Sequence, residues 1–121
     1  MANILTVDDS PSIRQMVKVT LTSAGHNVIE AGDGAQGLEK AKSNRLDLVI
    51  TDLNMPVMNG LELIRALRAL PALLGLPIVF LTTESNDVVK QEAKKAGATG
   101  WITKPFKQEQ LLAVVSKLVR S

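Results

Sequence analysis

The sequence has no cysteine and no tyrosine, one histidine, one tryptophan and two phenylalanines. Without cysteine there is no disulfide and no thiolate metal site, which fits a reducing compartment. A lone imidazole, His26, excludes a histidine-built metal centre. Few aromatics leave no stacking platform for nucleic acid, and a formal charge of +2 is no basic footprint. The isoelectric point of about 9.1 overstates the basicity. Few groups titrate between neutrality and the lysines, so a small cationic excess moves it far. No apolar run approaches a membrane span, and Met1-Ala2-Asn3-Ile4 lacks the charged and apolar regions of an export signal. A cytoplasmic chain that binds neither membrane nor nucleic acid is expected.

What is present is ordinary globular composition, 45% hydrophobic and 21% charged, over 121 residues. That length suits one domain, expected to span 1–121. The chain centres on Leu48-Val49-Ile50-Thr51-Asp52, a short apolar run ending in a carboxylate, followed by Pro56 and Asn59-Gly60. An unbroken apolar strand leading into a helix marks a strand buried on both faces of a parallel sheet. Similar strands read at 3–7, 26–31, 78–81 and 100–103. Between them lie amphipathic helices. The first carries Ile13, Met16, Val17 and Leu21 and stops at Gly25. The second follows Asp33-Gly34 with Leu38 and Ala41. The third carries Leu61, Leu63, Ile64, Leu67 and Leu70 up to Pro71, and a loop runs from Pro71 to Pro77. The fourth places Val88, Val89, Ala93 and Ala96 on one side and ends at Gly97. The last carries Leu111, Leu112, Val115, Leu118 and Val119. Strict β-α alternation predicts an α/β fold, a five-stranded parallel sheet covered on both faces; the pattern leaves the strand order open.

In such sheets chemistry gathers at the carboxyl ends of the strands. Those ends hold Asp8 and Asp9, then Asp52, Thr82 and Lys104. If the first and third strands are neighbours, three carboxylates converge. Two like charges about 4 Å apart cost roughly 4 kcal/mol at an effective dielectric near 20. Lys104 offsets one charge, and a divalent cation is the natural remedy for the rest. All-oxygen ligands suit Mg²⁺, or Mn²⁺. A carboxylate beside such an ion, a lysine and a hydroxyl is equipped to attack phosphorus and form an aspartyl phosphate.

Five motifs in order, Val7-Asp8-Asp9-Ser10, Asp52-Leu53-Asn54-Met55-Pro56, Asn59-Gly60, Leu81-Thr82-Thr83-Glu84 and Lys104-Pro105-Phe106, resemble the receiver domain of two-component response regulators. The likeness spans the chain and is strongest to single-domain chemotaxis regulators of the CheY type. It implies a doubly wound, flavodoxin-like (βα)5 fold with strand order 2-1-3-4-5. It implies Asp52 as phosphoacceptor, with Asp9, Asp52 and the Asn54 carbonyl as Mg²⁺ ligands and Asp8 acting through water. Lys104 resembles the lysine that pairs with the phosphoryl group, and its bond to Pro105 is expected to be cis. Thr82 resembles the switch hydroxyl. Trp101 stands where the family usually has Tyr or Phe as a switch aromatic. Asn54 and Glu84 fall where the family tunes acyl-phosphate hydrolysis. The implied partners are a histidine kinase of the CheA type, the flagellar motor switch protein and a phosphatase, around a monomer whose output is binding. The module is expected to catalyse its own phosphorylation and dephosphorylation without being a classical enzyme.

Each residue also has a plainer reading. Asp8, Asp9 and Asp52 taken singly are ordinary turn and cap residues. Thr83, Ser85 and Asn86 read as loop and cap residues. Lys90, Lys94 and Lys95 read as a solvated face. Trp101 reads equally as packing; Met16, Met55 and Met58 read as packing and His26 as a surface residue. Among rival functions, a phosphate sink or phosphorelay carrier would use the same acceptor site. A Mg²⁺-dependent phosphatase would place Asp-x-Asp after the first strand, where this chain has adjacent aspartates. A flavin site would need a phosphate-cradling loop there, and two carboxylates would repel the phosphate.

Overall fold

A computed structural model of the chain describes residues 2–119. The five strands are β1 (Asn3–Val7), β2 (Asn27–Ala31), β3 (Leu48–Thr51), β4 (Ile78–Thr82) and β5 (Gly100–Thr103). They alternate with α1 (Pro11–Ser23), α2 (Gly34–Ser43), α3 (Gly60–Arg68), α4 (Asp87–Ala96) and α5 (Gln108–Leu118). All pairings are parallel, in the order β2-β1-β3-β4-β5. This is the expected doubly wound (βα)5 architecture.

The apolar strands are explained by their two buried faces. On one face Leu5, Val7, Val49, Ile78 and Phe80 pack with Leu63, Ile64 and Leu67 of α3, Ala41 of α2 and Ala93 of α4. On the other, Ile4, Leu48, Ile50, Val79, Leu81 and Ile102 pack with Val17 and Leu21 of α1 and Leu111 and Val115 of α5. Successive strand residues thus feed opposite cores, as a period of two requires. Each fully buried Leu, Ile or Val contributes about 1.5–3 kcal/mol relative to exposure.

Helix ends follow local chemistry. Ser10 caps α1, accepting from the Ile13 N–H, with Pro11 at the first helical position. Asn59 and Glu62 form a reciprocal capping box on α3, and the Asn86 side chain accepts from the N–H groups of Val88 and Val89. Gly97 ends α4 at φ 109°, a left-handed stop.

Several expectations are corrected. Leu70 lies beyond α3, because the helix stops at Arg68 and a short 3-10 helix, Pro71–Leu73, occupies part of the expected loop. Val88 is 66% exposed rather than on the packed side, since the inward positions of α4 fall to Val89 in its first turn and Ala93 one turn on. Met16 is exposed, not packing. His26 is half-buried, and its Nδ1 accepts from the Ala2 N–H. The second strand begins at Asn27, and the fourth reaches Thr82.

Candidate functional site

Strand register assembles the site. β1 lies between β2 and β3, and the chain leaves it for one side and returns on the other, opening a crevice at the strand ends. Val7 is paired with Thr51, so Asp8 and Asp52 leave the sheet side by side. The Asp52 N–H donates to the Val7 carbonyl at 2.9 Å, and the Asp8 N–H to that of Ala31 at 3.1 Å. Thr82 is paired with Thr103, which brings Lys104 to the same rim, and the Lys104 N–H donates to the Thr82 carbonyl at 2.8 Å. The Lys104–Pro105 peptide is cis.

Lys104, at the end of β5, ties the ends of the neighbouring strands β1 and β3 electrostatically. Its Nζ donates to Asp8 Oδ2 at 2.8 Å and to Asp52 Oδ2 at 3.3 Å. The second oxygen of each aspartate takes a backbone N–H, Ser10 to Asp8 Oδ1 at 2.9 Å and Leu53 to Asp52 Oδ1 at 2.7 Å. The three side chains are largely dry, at 11% exposure for Lys104, 4% for Asp8 and 12% for Asp52. Asp9 is exposed at the mouth. Ligand oxygens of Asp8, Asp9 and Asp52 all lie within 4.8 Å of one another.

One ammonium against three carboxylates leaves about two negative charges in a space where each like pair costs roughly 4 kcal/mol. The donor set is entirely oxygen, partly open to water, and unaccompanied by sulfur or imidazole. That chemistry fits a hard divalent cation such as Mg²⁺.

The remaining residues singled out from sequence are placed unequally. Thr82 is fully buried, and its hydroxyl oxygen accepts from the Glu84 N–H at 3.3 Å. Glu84 turns back on the chain, accepting from the Asn86 N–H at 2.9 Å. Asn54 is exposed in the β3–α3 loop. Trp101 sits outside the acidic cluster. Its ring lies 5.5 Å from that of Phe80, and Lys90 Nζ stands 5.8 Å above it. Lys90 thus lies against the indole and is not merely solvated. The Trp101 indole N–H is buried and has no acceptor among the described residues.

Sequence reasoning missed Arg14, whose guanidinium donates to the Asp8 carbonyl and stands 3.7 Å from Glu30. It also missed Arg68, which donates to the carbonyls of Leu73, Leu74 and Gly97 and so ties the end of α3 to the end of α4. Burial holds the Arg68 guanidinium below its ordinary pKa. Neither has a local pattern, since their bonds depend on which backbone carbonyls the fold brings near.

The sequence pattern of the response regulator receiver domain matches residues 4–116. The chain belongs to the response regulator receiver family. As a receiver domain it is a signalling module of the kind that phosphorylation activates. Chemotaxis protein CheY4 of Vibrio cholerae has 49% sequence identity, with a TM-score of 0.94, over 98% of this chain and 99% of that one. The receiver domain of sensor histidine kinase PA1611 from Pseudomonas aeruginosa has 28% identity and a TM-score of 0.91, over 99% of this chain and 98% of that one; it was solved with a magnesium ion coordinated in its active site cleft. The DNA-binding response regulator MtrA of Mycolicibacterium smegmatis is 39% identical over 97% of this receiver domain, which spans 50% of MtrA. The receiver thus spans about half the length of such curated relatives.

Proposed function

We propose that Asp52 accepts a phosphoryl group from a phosphohistidine of a histidine kinase, and that the resulting aspartyl phosphate gates partner binding. The observation that carries this is Lys104 Nζ lying against both Asp8 Oδ2 and Asp52 Oδ2, at 2.8 and 3.3 Å, at the edge of a three-carboxylate cluster. An Asp52 oxygen attacks phosphorus, and the P–N bond to the kinase imidazole breaks. The nitrogen leaves with the electron pair and is reprotonated from solvent. Lys104 stays beside the reacting carboxylate and neutralises charge on the transferring oxygens. Mg²⁺, or Mn²⁺, would be held by Asp9, Asp52 and the Asn54 carbonyl, with Asp8 acting through water. When bound it supplies further neutralisation of phosphoryl charge.

The product adds about two negative charges and strong acceptor oxygens. Thr82 is suited to answer them, because its oxygen accepts from Glu84 while its own proton remains available to donate. Movement of Thr82 biases the face formed by α4, β5 and α5, where Lys90 and Trp101 stack. Turning such an equilibrium from about 1:99 to 99:1 takes roughly 5.5 kcal/mol, within reach of two or three charge-assisted hydrogen bonds. Asn54 and Glu84 tune hydrolysis of the acyl phosphate. Likeness to CheY4, a chemotaxis protein, favours the flagellar motor switch as the output partner.

Labelling with a small acyl-phosphate donor and Mg²⁺ tests the acceptor. Wild type takes up phosphate and Asp52→Asn does not; labelling of the variant at another residue overturns the assignment. Affinity for an N-terminal peptide of the motor switch protein, with and without beryllofluoride, tests the output. Tightening supports motor control. Failure to bind in both states moves the reading to a phosphate sink or relay carrier.

A further inference from the structure

The loop that links β3 to α3 carries Asp52 and Asn54; Leu53 anchors it in the core, and Met55 and Met58 pack against that core. The Met58 N–H donates to the Pro56 carbonyl at 2.7 Å, closing a three-residue turn centred on Val57. Val57 has φ 69°, a left-handed conformation that β-branched residues rarely adopt. Its side chain is 81% exposed, so its own packing does not offset the strain. Such strain persists only where the surroundings impose it. Between Leu53 and Met58, among the described residues, the one hydrogen bond shown to arrive from beyond α3 is that of the Gly34 N–H to the Met58 carbonyl, 3.1 Å.

Gly34 opens α2, and the first N–H groups of a helix have no intrahelical acceptor. Asp33 caps the Gln36 N–H instead, leaving the Gly34 N–H for the loop. Gly34 is not among the glycines with positive φ, so backbone conformation does not require glycine there. Close approach does. A Cβ at this position would overlap the Met58 carbonyl oxygen and lie 2.8 Å from Met58 Cγ. The strained turn at Val57 aims that carbonyl at α2, and a residue without a side chain receives it.

We infer that Gly34 is a positioning residue for the acidic site: its latch to Met58 sets the β3–α3 loop, and with it the Asn54 carbonyl, for a divalent cation. The inference rests on the Mg²⁺ reading proposed above. Gly37 provides the control. A Cβ there would meet Val7 Cγ2 at 3.0 Å and Leu63 Cδ2 at 3.4 Å, which are core atoms and not the loop.

Isothermal titration of Mg²⁺ into wild type, Gly34→Ala and Gly37→Ala, each checked for folding by circular dichroism, is the test. Gly34→Ala is expected to bind about tenfold more weakly, as outer-shell changes do, and Gly37→Ala close to wild type. Equal affinity in wild type and Gly34→Ala, or equal weakening in both variants, overturns the latch. Should Gly34→Ala not fold, amide exchange on wild type decides. Coupling is reciprocal, so saturating Mg²⁺ must slow exchange of the Gly34 amide more than that of Gly37. Equal slowing overturns the inference. A wild-type chain that accepts phosphate yet fails these comparisons loses only the latch, whereas one that binds no Mg²⁺ loses the underlying reading as well.

Discussion

Lys104 and Asp8 are separated by 96 residues of sequence and by 2.8 Å in space. The same Nζ reaches Asp52 at 3.3 Å, so one ammonium holds the ends of β1 and β3 together against their mutual repulsion. Lys104→Ala leaves two nearly dry carboxylates without it. It is expected to cost about 2 kcal/mol in chelator, less than a fully buried pair and more than an exposed one. Saturating Mg²⁺ should recover much of the loss, since a ligand at a hundred times its Kd stabilises by about 2.7 kcal/mol. Urea unfolding with chelator and with Mg²⁺ measures both. A variant as stable as wild type in chelator removes the electrostatic account.

Trp101 carries a buried indole N–H without an acceptor among the described residues. Leaving such a donor unpaired costs about 1–3 kcal/mol, so its removal offsets the lost ring volume. Trp101→Phe is expected to change stability by less than about 1 kcal/mol, well below the usual cost of truncating a core aromatic. Thermal unfolding checks this. A drop on the scale of a core truncation would mean that the N–H finds a partner in solution.

Val57 combines a left-handed backbone with an exposed side chain. Asn tolerates that conformation and sacrifices no packing here. Val57→Asn should therefore stabilise the protein by about 1 kcal/mol, read as a higher urea midpoint at unchanged slope. An unchanged midpoint would show that the turn is not strained.

Arg68 donates to three carbonyls on two segments. Arg68→Met keeps most of the aliphatic stem and orphans those acceptors, with an expected cost of about 2–3 kcal/mol in urea unfolding. Loss of the tie should also speed amide exchange at the C-terminal turn of α4 relative to that of α2, and equal acceleration in both would argue for a global effect.

Much of this was legible in the chain itself. Runs such as Leu48-Val49-Ile50 and Ile78-Val79-Phe80 announce strands buried twice over, because a sheet covered on one face would alternate. Ser10-Pro11, Asn59 with Glu62, and Gly97 mark helix ends through bonds that span three or four residues. Where local patterning misled, tertiary position decided. Val88 and Met16 are apolar and exposed, and His26 is half-buried because β1 begins beside it.

Local interactions thus settled the elements, their alternation and the set of polar residues at the strand ends, since each depends on neighbours a few residues apart. Register, and therefore the meeting of Asp8, Asp52 and Lys104, arises only when distant strands pair. The latch of Gly34 on Met58, the tie of Arg68 to Gly97 and the stack of Lys90 on Trp101 belong to the same class. Each joins groups whose closeness is a product of the fold, because no bond between them exists until the chain has closed around its two cores.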